Sequence, residues 1–137
     1  MPVRFEYVHT VTAAEIDFQG RASNEAYIRW LNEAAIAHSA AQGWPLEAYS
    51  SLGAGWVVRK HEIEYLHPAH EGDRLTIQTW VATIERATSL RRYVVKRGEQ
   101  RIATASTLWA FVDSRTGRLT RIPARVTDCF VADDATS

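Results

Sequence analysis

Cysteine is nearly absent. The single thiol, Cys129, has no partner in the chain, which excludes an intrachain disulfide and suits a reducing compartment. Long hydrophobic runs are missing as well. No stretch approaches the roughly 18 to 20 apolar residues that span a bilayer, and Met1-Pro2-Val3-Arg4-Phe5-Glu6 lacks the apolar core of a signal peptide. Nor is there an excess of either charge: sixteen basic residues face sixteen acidic ones. No global field draws the chain toward nucleic acid or an anionic membrane, so neither is expected as a partner. Any anionic ligand must be met by a local cluster of cations. Repeats and linkers are absent, apart from the polar end Asp133-Asp134-Ala135-Thr136-Ser137, and fraying is expected from about residue 131. The expectation is a soluble, cytoplasmic protein with one domain over residues 1–137.

What is present fits a packed core. Apolar residues make up 46% of the chain, with five tryptophans and five tyrosines, a composition opposite to that of disorder. Residues Val3 to Thr12 alternate as a first strand would. From about Asn24 to Gln42 the period changes. Tyr27, Leu31, Ala34, Ala35, His38 and Ala41 recur three and four apart, one face of a long helix. Ser23 or Asn24 caps its start, and Gly43 with Pro45 stops it. Four further strands are predicted at Trp56–Leu66, Arg74–Ile84, Thr88–Arg97 and Arg101–Asp113, with short breaks suited to an antiparallel meander. Leu119–Ile122 adds a short edge segment ended by Pro123. The order predicts an α+β fold, an antiparallel sheet around one long helix. Such a sheet leaves an edge that a homodimer, or a tetramer, would cover.

The chemically informative stretch is Glu15-Ile16-Asp17-Phe18-Gln19-Gly20-Arg21-Ala22-Ser23-Asn24. An acid stands three residues before a glycine, and a helix N-terminus follows at once. This places a carboxylate beside unpaired backbone N–H groups at the positive end of a helix. Amides so placed suit the oxyanion of a thioester under attack, and the carboxylate suits attack or activation of a water. Thiolate leaves readily, so no strong general acid is required. Glu15 is the rival acid; in an extended loop it points with Asp17 and away from Ile16.

Asp17, Gly20, Asn24, Tyr27, Trp30 and Leu31 resemble the Asp-x-x-Gly loop and Tyr-x-x-Trp helix opening of the 4-hydroxybenzoyl-CoA thioesterase-like family of hot-dog proteins. Tyr65-Leu66-His67-Pro68-Ala69-His70-Glu71-Gly72-Asp73-Arg74-Leu75 is similar to that family's Tyr-x-x-Pro-Ala-x-x-Gly-Asp-x-Leu, and Phe111-Val112-Asp113 with Gly117-Arg118 also matches. The likeness runs from about residue 5 to 125. It implies a hot-dog fold, hydrolysis of an acyl- or aryl-CoA thioester, Asp17 as catalytic acid and a site at a dimer interface. The backbone around Gly20, Ser23 and Asn24 would polarise the thioester. Two departures stand out: Glu15-Ile16-Asp17 replaces an Asp-x-Asp pair, and Arg21-Ala22-Ser23 follows the glycine where many members have histidine or an aromatic residue. The acyl pocket is therefore expected to be atypical.

The remaining candidates each carry a plainer role beside the functional one. Tyr27 and Trp30 serve as core or as walls of an acyl pocket, and Asn24 as cap or catalytic side chain. His38 reads as a packed core histidine. His61 shares a strand face with Val57, Ile63 and Tyr65 and is assigned to the pocket. Arg59, Lys60, Arg91, Arg92, Lys96 and Arg97 supply cations for CoA phosphates; guanidinium geometry favours Arg59 and Arg91. His61, His67, His70, Glu71 and Asp73 match no closed metal-ligand spacing, and no Gly-x-Ser-x-Gly elbow occurs. No metal or cofactor is expected beyond the CoA of the substrate. The rival functions are a non-catalytic acyl-thioester binding protein, a thioesterase acting on acyl-carrier-protein thioesters, and an enoyl hydratase, whose Asn-Pro-x-His signature is missing.

Overall fold

The computed structural model describes residues 4–133. Alternating side chains build five strands: β1 (Phe5–Thr10), β2 (Ala54–Tyr65), β3 (Arg74–Ile84), β4 (Thr88–Arg97) and β5 (Gln100–Asp113). The long period builds α1 (Asn24–Ala41), and two shorter helices follow, α2 (Leu46–Leu52) and α3 (Ala124–Thr127). Of the first predicted strand, Val3 lies outside the described residues. The bounds predicted for β3 and β4 match those observed, and those of α1, β2 and β5 differ by one or two residues.

All strand pairs are antiparallel, in the order β1-β3-β4-β5-β2. The predicted four-strand meander fails at one joint: β2 pairs with β5, not with β3. Residues 66–73 do not turn back as a hairpin. Leu66 N–H donates to Ile102 O at 2.9 Å, Ala22 N–H donates to Ala69 O at 2.8 Å, and Val11 N–H donates to Asp73 O at 2.9 Å. These bonds carry the chain past the start of α1 to a place beside β1. They also explain the Pro-Ala-x-x-Gly-Asp motif: Ala69 is fully buried, and Asp73 is fixed by Arg97 Nη1 at 2.6 Å.

Helix α1 buries Ala26, Tyr27, Trp30, Leu31, Ala34, Ala35 and His38 against Leu75, Ile77, Tyr93, Val95 and Ala103. Small alanines let helix and sheet approach, and burying a side chain such as Leu31 or Ile77 contributes about 1.5 to 3 kcal/mol. Ala41, expected on this face, is exposed at the last turn. An antiparallel sheet packed on one long helix is the hot-dog fold, α+β in class. A second cluster, Tyr49, Phe111, Ile122 and Val126, lies under α2 and α3, which periodicity did not reveal. The predicted edge segment reduces to a single bridge between Val112 and Leu119. Asp133 N–H donates to Val81 O at 2.9 Å, so the chain is still anchored at a point where fraying was expected; residues 134–137 lie outside the described range. No helix among the described residues is long and apolar enough to cross a membrane.

Candidate active site

The loop before α1 is a closed turn. Ile16 and Ala22 bridge its base, Asp17 N–H donates to Arg21 O at 2.8 Å, and Gly20 N–H donates to Asp17 O at 3.0 Å. Gly20 sits at φ 81°, a left-handed conformation that side chains disfavour. The Asp17 side chain finishes the turn: Oδ1 accepts from Gln19 N–H at 2.9 Å and, more loosely, from Arg21 N–H at 3.4 Å. Asp17 therefore also shapes the turn, and it uses one oxygen to do so. Oδ2 has no hydrogen bond among the described residues.

Helix α1 begins immediately afterwards. Ser23 is its cap, with Oγ accepting from Ala26 N–H at 3.1 Å. Two of the three expected oxyanion donors are thereby corrected. The amide of Gly20 is bound to Asp17 O, and the amide of Ser23 donates to Glu15 O at 2.9 Å. At Asn24 and Glu25 the amides have no acceptor among the described residues, as expected for the first turn of a helix. The positive end of the helix thus opens through Asn24 and Glu25.

Asp17 and Asn24 line one cleft of about 400 Å³, with Gln19, Arg21, Tyr27, Tyr65, His67 and Pro68. Tyr27 is 3% exposed, its ring 5.0 Å from that of Tyr65 in a T-shaped contact. Burial pushes its hydroxyl pKa up to about 12, so the proton stays on at neutral pH. Arg21, Tyr65 and His67 were not singled out as site residues from sequence. Their signal was adjacency: Arg21 follows Gly20, and Tyr65 and His67 belong to the Tyr-x-x-Pro-Ala motif.

The other expected site residues lie elsewhere. Trp30 is fully buried behind the cleft and donates its indole N–H to Glu15 Oε2 at 2.8 Å, so it is no pocket wall. Glu15, the rival acid, is 7% exposed; it also accepts from His9 Nε2 at 2.8 Å and from Thr12 N–H at 2.9 Å. These partners engage it as an internal anchor. His61 lies outside the cleft lining, its Nδ1 2.8 Å from Thr107 Oγ1. Arg59 is exposed where the β2–β5 register shifts between Val58 and Lys60, and so remains available to an anion. Arg91 is only 6% exposed and donates through Nη1 to His38 Nδ1 at 2.9 Å and Thr79 Oγ1 at 3.0 Å. Its guanidinium therefore lies inside the fold, not at the surface where the CoA phosphates were expected to meet it.

A family model for the thioesterase-like superfamily matches residues 11–130, which takes in both sides of the cleft. The chain belongs to the thioesterase-like superfamily. Solved structures agree on the fold of this superfamily member. The 1,4-dihydroxy-2-naphthoyl-CoA thioesterase of Synechocystis is 20% identical with a TM-score of 0.84, over 93% of this chain and 95% of that one. A gentisyl-coenzyme A thioesterase is 17% identical with a TM-score of 0.85, over 92% and 99%. A Staphylococcus aureus protein solved in complex with CoA is 15% identical with a TM-score of 0.87, over 94% and 82%. At these identities the likeness is one of fold. Comparison with curated proteins finds no match.

Proposed function

We propose that this superfamily member hydrolyses an acyl- or aryl-CoA thioester with Asp17 as its catalytic carboxylate. The observation that carries the reading is the placement of Asp17 and Asn24 on one cleft, at the start of an 18-residue helix. The helix dipole and the free amides of Asn24 and Glu25 favour negative charge there. A thioester carbonyl oxygen seated against them becomes an oxyanion as its carbon is attacked. Asp17 Oδ2 either takes a proton from the attacking water or attacks the carbon itself. In the first case the C–S bond breaks as the tetrahedral adduct collapses, giving acid and thiolate. In the second, the C–S bond breaks and thiolate leaves as a mixed anhydride forms on Asp17, and water then opens it to the free acid and the Asp17 carboxylate. Arg21 beside Asp17, and Arg59 on β2, are cations for the phosphates.

The CoA-thioesterase names among the structural neighbours support this substrate class, and the 1,4-dihydroxy-2-naphthoyl and gentisyl cases make aryl thioesters the first to try. We further propose a homodimer formed along the free edge of β2, where Val57, Val58 and Tyr65 are exposed on a 12-residue strand. An edge this long invites pairing. The test is thiol release from a panel of aryl, short, branched and long acyl-CoA esters, with acyl-carrier-protein thioesters alongside. Turnover of at least one CoA ester supports the reading. Binding without thiol release from any member would favour a non-catalytic thioester binder, the reading suggested by the turn-forming bonds at Asp17 Oδ1.

A further inference from the structure

A second cavity, of about 280 Å³, lies at the far end of α1, lined by Ala35, Ile36 and Ser39 of the helix and by three tryptophans, Trp44, Trp56 and Trp109. Its helix residues are 11 to 15 positions beyond Asn24, about 16 to 22 Å along the axis. Within one chain it is separate from the Asp17 cleft, and the two share no lining residue.

The cavity walls are apolar with one exception that matters. Arg91 lines the cavity and is only 6% exposed. Both of its hydrogen bonds leave from Nη1, to His38 and Thr79, and both acceptors are neutral: Thr79 has a hydroxyl, and His38, stacked on Phe5 at 5.1 Å, presents Nδ1 as acceptor. Nε and Nη2 have no hydrogen-bond partner, and no carboxylate pairs with the guanidinium, among the described residues. Of the other polar side chains in the lining, Ser39 Oγ donates to Trp44 O at 2.8 Å and lies 2.9 Å from Tyr49 Oη, Ser89 Oγ donates to Thr83 O at 2.8 Å and Thr127 Oγ1 donates to Ala124 O at 3.2 Å, while Trp109 Nε1 is buried without a partner among the described residues. A guanidinium stays charged in any protein interior, and a buried charge without a counter-ion is costly. Here the missing partner is an anion, and the space beside it is oily.

We propose that this cavity binds a compact apolar carboxylic acid, its body among the tryptophans and its carboxylate on the free edge of Arg91. The fork of a guanidinium matches the two oxygens of a carboxylate. At about 30 Å³ for each water-sized group, the cavity has room for roughly nine, the size of benzoate or octanoate. The site stands independently of the hydrolase reading.

The experiment titrates the full chain with octanoate and, separately, with 1-octanol, reading the fluorescence of the tryptophans. Octanoate is expected to bind at least roughly tenfold more tightly, the lower end for a hydrogen bond to a charged group. Arg91→Met, which replaces the charge with a neutral side chain of similar length, removes the preference. Ile36→Trp, a change at a 40% exposed position of the lining, weakens octanoate binding and serves should the Arg91 variant misfold. Equal affinity for acid and alcohol, no binding of octanoate at millimolar concentration, or binding indifferent to Ile36→Trp would overturn the proposal.

Discussion

Glu15 Oε2 accepts the indole N–H of Trp30 at 2.8 Å, joining the loop before α1 to the helix across fifteen residues of sequence. The same carboxylate receives His9 from the end of β1, and the backbone oxygen of Glu15 receives the amide of Ser23. One buried acid therefore fixes the strand, the loop that carries Asp17 and the first turn of the helix. Glu15→Ala leaves the buried Trp30 indole and the part-buried His9 ring and Thr12 amide unmatched and is expected to cost about 3 kcal/mol, read as a lower urea midpoint with unchanged slope. A change below about 0.5 kcal/mol would remove the anchor role.

The anchor also sets a pH dependence. Burial acts to raise the Glu15 pKa, but bonds from His9, the Thr12 amide and Trp30 outweigh it and hold the group at about 2 against an ordinary 4.5. A carboxylate lowered in the fold gives stability that is complete above the unfolded pKa and is lost as pH falls from about 4.5 toward about 2. The gap corresponds to about 3 kcal/mol at neutral pH. Glu15→Gln is expected to flatten the fall in unfolding free energy across that interval. An unchanged slope in the variant would assign the acid sensitivity to other carboxylates.

The amide of Asn24 is separable from its side chain. Proline is tolerated at the first position of a helix, and Ser23, at φ −74° and ψ 159°, already has the extended conformation that precedes proline. Asn24→Pro is expected to fold normally while lowering kcat by about 100-fold or more, the effect of losing one oxyanion donor. Asn24→Ala keeps the amide and should stay near the parent rate. Comparable losses in both variants would move the role to the side chain.

How much of this was legible in the sequence follows from the range of the interactions. The bounds of β3 and β4 and the start of α1 are set by alternation, glycine turns and a serine cap, all local, and they were read directly. The pairing of β2 with β5 was not, because it depends on where residues 66–73 dock rather than on their length. Helix α2 has seven residues, too short for a period to declare itself. Charge and guanidinium geometry alone point to Arg91 as a phosphate ligand at the surface. Its parity with Tyr93 and Val95 on β4 placed it on the inward face. Asp17 and Asn24 were found because a turn glycine and a helix start bring them together within eight residues. Glu15 and Trp30 needed a fold to meet.

The free edge of β2 gives a prediction about assembly. Light scattering is expected to return twice the chain mass of 15.5 kDa, or four times it. Val58→Lys with Tyr65→Lys, charges placed along the exposed strand, should shift the mass toward a single chain. A monomeric parent protein would contradict the proposed dimer.

The most direct measurement is thiol release by Asp17→Asn. Asparagine keeps a carbonyl oxygen where Oδ1 accepts the Gln19 and Arg21 amides, so the turn and the melting temperature are expected to hold. Loss of the anionic oxygen should lower kcat by at least about 100-fold on the best CoA ester. A folded variant turning over within a few-fold of the parent would contradict the assignment of Asp17.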